Sequence, residues 1–192
     1  QAGHETTATA LLWWSRLMAE HPTAADRAVA ELQQVLAGRD PTADDLPALP
    51  WLTATLKEAM RLYPPVAGLM TRRATRDIVL GGRTLARGTM IRVTPYVLQR
   101  DPRWFEAPDA FRPQRFMPGA PELPRGAHLP FGTGPRVCMG QHFAMLEMTV
   151  LAALLLQRFD LALPADAPPA EPVLHVTLRP RHGLQLLLSR RC

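Results

Sequence analysis

The sequence predicts a mainly α fold with small β-sheets, on three observations. Apolar residues recur at helical spacing over residues 1–20, 22–36, 49–62 and 141–159. Short β-rich runs lie between residues 66 and 93 and again between 174 and 188, each broken by glycine or proline. Residues 101–130 show little periodicity but hold many prolines and the aromatics Trp104, Phe105, Phe111 and Phe116. Those rings need burial, so the stretch predicts a packed meander rather than a linker.

A chain of 192 residues with 47% hydrophobic and 20% charged residues is long enough for one substantial core and short for two. Its formal charge of +5 comes from arginines that are scattered, apart from Arg72, Arg73 and Arg76. A nucleic-acid surface would need a basic stripe interleaved with exposed aromatics, and the sequence has none. No apolar run is long enough for a membrane span, and the opening has no signal-peptide pattern. Cys138 and the terminal Cys192 are the only cysteines, which offers no disulfide framework and suits a reducing compartment, the cytoplasm.

The first predicted helix, residues 1–20, is apolar from Ala8 through Met18 and stopped by Pro22. Its opening, AGHETT, suits a helix interior poorly. Gly3 costs about 1 kcal/mol against alanine, and the hydroxyls of Thr6 and Thr7 can turn onto backbone carbonyls. By itself this reads as a frayed helix start with Thr6 or Thr7 as N-cap. The second helix, Pro22–Leu36, starts on proline and carries the stripe Ala25, Val29, Leu32 and Leu36, with Gly38 ending it. Asp40–Ala48 reads as a polar link.

The third helix, Leu49–Leu62, ends in KEAMRLYPPV. Glu58 and Arg61 stand three apart on one face. They form either a solvated surface pair or, given the apolar Leu56, Ala59, Met60 and Leu62 around them, a buried pair that must satisfy itself. Then come the β-rich runs, with a hairpin at Gly81-Gly82 and a turn at Arg87-Gly88. The fourth helix, Gln141–Phe159, is apolar on most sides and predicts a helix packed in a core. Leu174–Leu178 and Leu184–Leu188 predict a closing hairpin around Pro180–Gly183.

Cys138 sits in FGTGPRVCMG, Phe131–Gly140, just before that fourth helix. Glycines let a backbone fold tightly around a ligand. Helix N–H groups and Arg136 would favour thiolate over thiol. Three readings stand side by side: a small buried hydrophobe, a zinc ligand with His142 and His128, or a single buried thiolate that holds a metal ligated elsewhere.

This stretch resembles the haem-binding signature of the cytochrome P450 family, Phe-x-x-Gly-x-Arg-x-Cys-x-Gly, with Phe131, Gly134, Arg136, Cys138 and Gly140 in the fixed places and Ala144 following. AGHETT resembles the family's oxygen-binding motif in the helix over the haem, and Glu58-x-x-Arg61 its Glu-x-x-Arg motif. FRPQRF matches the Pro-Glu-Arg-Phe element at Pro113, Arg115 and Phe116, with Gln114 in place of glutamate.

The resemblance implies the cytochrome P450 fold, C-terminal part, with residues 1–192 as one unit. It implies heme b (iron protoporphyrin IX) as cofactor, its iron held by the Cys138 thiolate. Arg136 and Arg72, with Arg73 as the alternative, would meet the propionates. Phe131 would pack near the sulfur, and Gly140 completes the loop. Ala2 and Gly3 would make room for dioxygen, and Thr6 with Glu5 would deliver protons. Glu58, Arg61 and Arg115 would be structural. Gln99 stands where the family usually has histidine, which puts local contacts at the haem edge in question.

The implied activity is a monooxygenase that inserts one oxygen atom of O2 into a small organic substrate, with electrons from a ferredoxin- or flavodoxin-type donor. The alternative is a truncated, non-catalytic piece that does not hold haem stably, since the chain starts at Gln1 and has under half the family's usual length.

Overall fold

Helix α1 spans Ala2–Glu20 in the computed structural model, which describes residues 2–68 and 70–191. Trp13, Trp14 and Met18 put its apolar face fully inside. Thr7 is no N-cap: it lies within the helix, and its hydroxyl donates back to the Gly3 carbonyl at 2.9 Å. The frayed-start reading is therefore corrected.

Helix α2 spans Pro22–Leu36 and buries the predicted stripe Ala25, Val29, Leu32 and Leu36. Its left-handed exit falls on Ala37 (φ 49°), with Gly38 (φ 88°) continuing it. The predicted link is not featureless, because Ala43–Ala48 forms a 3-10 helix capped by Thr42 and Asp45. Helix α3 spans Pro50–Leu62. A side chain from α2 closes its start: the Glu31 carboxylate accepts the N–H groups of Trp51 and Leu52, each at 2.8 Å.

Strand β1 (Met70–Arg73) pairs antiparallel with β4 (Met90–Val93), in the register Arg72↔Ile91. Between them β2 (Ile78–Leu80) and β3 (Arg83–Leu85) form the predicted hairpin. Gly81 and Gly82 both take positive φ, 57° and 74°, as a tight two-residue turn requires. The short helix α4 (Pro95–Leu98) leads into the meander. There Phe105 and Phe111 are buried and Phe116 half-buried, but Trp104 is 47% exposed beside Arg103, contrary to expectation.

Helix α5 spans Gln141–Arg158, and β5 (Phe159–Ala162) continues the chain directly. Met148, Thr149, Ala152, Ala153 and Leu156 face the core shared with α1, α2 and α3. Phe143, Leu146 and Leu151 are 69%, 40% and 45% exposed, so this helix is packed on one side rather than all round.

The predicted closing hairpin is also corrected. Strand β6 (Pro172–Leu174) pairs with β7 (Leu178–Pro180), while β8 (Leu187–Arg190) returns to β5, in the register Phe159↔Arg190. β5 and β8 are distant in sequence, so a local pattern carries no sign of their pairing.

Candidate haem-thiolate site

The centre of the scaffold is a buried carboxylate. Glu58 and Arg61 are both fully buried on α3 and pair through two contacts: Nε to Oε2 at 2.7 Å and Nη2 to Oε1 at 2.9 Å. Glu58 Oε1 also accepts the Arg112 backbone N–H at 2.8 Å and approaches Arg115 Nε at 3.4 Å. Arg61 uses its remaining N–H groups on the carbonyls of Gln99 (2.7 Å), Pro108 (2.6 Å) and Ala110 (3.1 Å). Phe105 lies under the guanidiniums of both Arg61 and Arg115. Arg115 ties down the carbonyls of Glu106 and Ala107. Of the two sequence readings for Glu58 and Arg61, the buried pair is the one found. It pins the meander onto α3, while Gln114 stands exposed beside it, its backbone carbonyl accepting the Met117 N–H at 3.2 Å.

Gln99 extends this brace. Fully buried, it donates from Nε2 to the carbonyls of Met60 (3.1 Å) and Arg61 (3.0 Å), and its Oε1 accepts the Leu129 N–H at 2.6 Å. It links the end of α3 to the strand of chain that enters the cysteine loop. That clamp escaped the sequence reading, because a glutamine at a family histidine position gives no sign of its new partners.

The loop itself is closed by the Cys138 N–H, which donates to the Phe131 carbonyl at 2.9 Å. Gly132 and Gly134 take positive φ, 75° and 74°, a conformation costly for any side chain with a Cβ. Gly134–Arg136 is a single 3-10 turn, and Gly140 opens α5, its would-be Cβ 4.0 Å from the Cys138 sulfur. Phe131 packs against the core. Cys138 is free and exposed, which corrects the expectation of a buried sulfur.

The zinc reading finds no support: among the described residues no three His, Cys, Asp or Glu side chains come together as a metal site. His128 instead sits between Phe116, whose ring is 4.6 Å away, and a groove of about 420 Å³ lined by Lys57, Met60, Phe131, His142 and Met145. Its Nε2 is fully covered and has no hydrogen-bond partner among the described residues. Burial pulls the His128 pKa down to about 4, so the ring is neutral near pH 7.

At the head of α1, Thr6 is half-buried and Gly3 is exposed, with open space where a Cβ would stand. The side chain of Ala2 lies outside the described residues. Glu5 Oε1 accepts the Thr177 hydroxyl at 2.9 Å and Arg179 Nη2 at 2.6 Å. The Thr177 hydrogen bond first, and Arg179 after it, hold the Glu5 carboxyl below its ordinary pKa. Thr177 and Arg179 were invisible to sequence reading, being about 170 residues away and in no motif.

Arg72 and Arg136 are exposed, and neither forms an ion pair among the described residues; Arg72 donates only to its neighbour's carbonyl, Thr71 O, at 3.0 Å. Arg72 and Arg73 alternate across β1 and so leave it on opposite faces.

This donor set fits a haem. One accessible sulfur, on a loop closed by the Cys138 N–H to the Phe131 carbonyl, would suit a haem iron that takes a single ligand from the protein. Two exposed guanidiniums without carboxylate partners suit its propionates.

Comparison with known proteins agrees. The family model described as Cytochrome P450 matches residues 1–188. The chain is 43% identical over 190 residues to cytochrome P450 132 of Mycobacterium tuberculosis, covering 99% of this chain and 41% of that protein. It is 40% identical over 186 residues to the cyclooctatin synthase of Streptomyces melanosporofaciens, covering 96% of this chain and 38% of that one. The solved structure of retinoic acid-bound cyanobacterial CYP120A1 superposes with a TM-score of 0.93 at 33% identity, over 99% of this chain and 44% of that chain. The chain thus spans about two-fifths of the length of the curated relatives it matches. No described helix is long and apolar enough to cross a membrane. With the family model matching residues 1–188 and the fold superposing on a solved member, the chain belongs to the cytochrome P450 family.

Proposed function

We propose that residues 1–192 are the C-terminal part of a P450 domain and supply the thiolate, the propionate partners and the proton-delivering helix of a haem-thiolate monooxygenase. The observation that carries this reading is Cys138, free and exposed on a glycine-shaped loop that Gln99 and the buried Glu58–Arg61–Arg115 network brace. Bound haem would supply the oxygen activation, favoured by charge donated from a thiolate.

The chain's own residues hold and serve it. Cys138 Sγ is the iron ligand. Arg136 and Arg72 give paired N–H donors to the propionates, with Arg73 as the alternative. Phe131 fixes the loop by accepting the Cys138 N–H and by packing inward. Gly3 keeps the head of α1 slender, leaving space for dioxygen. Glu5 takes a proton from water and passes one to the Thr6 hydroxyl, which releases its own toward the reacting oxygen. The substrate is a small organic molecule, in keeping with the cyclooctatin and retinoic acid named for similar proteins. Electrons come from a ferredoxin- or flavodoxin-type donor in the cytoplasm.

The test is the spectrum of the reduced, carbon-monoxide-bound full-length protein. A thiolate ligand gives a strongly red-shifted Soret band, which Cys138→Ser abolishes and Cys192→Ser leaves in place. Retention of the band in Cys138→Ser sinks the assignment.

The uncovered Phe143, Leu146 and Leu151 favour a second reading for these 192 residues on their own, a piece that does not hold haem stably. Stoichiometric haem uptake by the isolated 192-residue chain, with a thiolate-type spectrum, would remove that reading.

A further inference from the structure

The head of α1 is gripped from the other end of the chain. Thr177 Oγ1 and Arg179 Nη2 both donate to Glu5 Oε1, and Arg179 Nε donates to Thr177 Oγ1 at 3.1 Å. Carboxylate, hydroxyl and guanidinium thus close a triangle. Its base is fixed. Thr177 is buried, with the Thr9 hydroxyl 3.5 Å from its own. The β6–β7 hairpin that carries it is pinned where Trp13 Nε1 donates to the Leu178 carbonyl at 2.7 Å and the Leu178 N–H donates to the Pro65 carbonyl at 3.0 Å.

The charged groups that face Glu5 are Arg179 from β7 and His4 from its own helix. An exposed ion pair contributes little to stability as a rule. This one is built on a buried hydroxyl, beside Thr6, and both donors engage the same carboxylate oxygen. The arrangement is better explained by where it places the carboxylate than by what it adds to folding.

We propose that Arg179 and Thr177 are positioning residues for Glu5, fixing where its carboxylate faces so that proton passage at the head of α1 is governed from the β6–β7 hairpin. The proposal rests on the reading of Glu5 and Thr6 as proton carriers. Opening the triangle frees Oε1 and raises the proton affinity of the carboxylate; closing it returns the group to its ionised form.

The experiment uses the full-length, haem-loaded protein and follows the carbon-13 shift of the Glu5 carboxyl, identified by its loss in Glu5→Gln. In Arg179→Gln the Glu5 titration midpoint moves to higher pH. The pH profile of product formed per reduced nicotinamide moves the same way, with the carbon-monoxide spectrum unchanged. Arg179→Lys restores part of both shifts. Thr177→Val, close in shape to the buried residue it replaces, gives a midpoint shift of the same sign should Arg179→Gln not fold. An unmoved Glu5 midpoint in both Arg179→Gln and Thr177→Val overturns the proposal. A moved midpoint with an unmoved profile, together with normal coupling in Glu5→Gln, overturns instead the proton-carrier reading on which it rests.

Discussion

Arg61 Nε lies 2.7 Å from Glu58 Oε2, and neither side chain reaches solvent. A buried ion pair of this kind is weak evidence for net stability, but its halves cannot be separated cheaply. Every other N–H of Arg61 is spent on the meander, so the pair is also the pin that fixes the approach to the cysteine loop.

Glu58→Ala strands the Arg61 guanidinium without its counter-charge and frees the Arg112 N–H. We expect a loss of about 3–5 kcal/mol in the full-length protein, together with weaker haem retention. Denaturant unfolding checks this, and a haem-loaded mutant with wild-type stability would falsify it.

Gln99→Leu keeps the volume but leaves the Leu129 N–H, buried beside it, without its acceptor, and two α3 carbonyls without their donor. Unsatisfied buried groups cost about 1–3 kcal/mol each. The expected outcome is a stability loss of at least about 3 kcal/mol, with faster haem dissociation than a surface control such as Gln33→Leu. Equal dissociation rates would show that the clamp does not reach the loop.

His128 gives the acid limb of stability a specific shape. Burial lowers its pKa to about 4 in the folded chain, against about 6.5 when unfolded. Between those values the unfolded chain binds more protons. Stability from this group is therefore full above about pH 6.5 and is lost as pH falls toward 4, by up to about 3 kcal/mol. His128→Phe flattens the stability curve across that window. Parallel curves for wild type and mutant would place the acid sensitivity elsewhere.

Thr6→Ala in the full-length enzyme keeps haem and substrate binding but diverts reducing equivalents to peroxide, since a hydroxyl is lost and the iron ligand is not. Product formed per reduced nicotinamide should fall by up to about a hundredfold, the low end of what a positioned proton donor contributes. Unchanged coupling would leave Thr6 as a residue of the helix only.

Much of the architecture was legible because it is written locally. The stripe Ala25, Val29, Leu32 and Leu36 repeats at helical spacing, so α2 came out with its observed ends. Glu58 and Arg61 share a face because they are three apart, and the apolar residues around them pointed to burial before any contact was known. The Gly81-Gly82 hairpin followed from glycine's tolerance of positive φ. Cys138 stood out because its loop holds glycines where a Cβ would be strained.

Local pattern had no hold on the rest. Whether α5 is covered depends on what lies against it, so a helix apolar on most sides was read as packed in a core although Phe143 and Leu151 face outward. The closing strands were paired wrongly because β8 meets β5 across an intervening hairpin. Trp104 was expected inside because its size favours burial, yet it stays half out beside Arg103.

The sequence by itself determined the helices, the cysteine loop and the placing of Glu58 and Arg61 on one face of α3, since each depends on spacings within a few residues. That the pair is buried came from the fold around it. Only the tertiary structure decided that Gln99 ties α3 to the loop and that Thr177 and Arg179 close on Glu5. Those contacts join segments about 30 and 170 residues apart, and a hydrogen bond between distant segments leaves no periodicity in either.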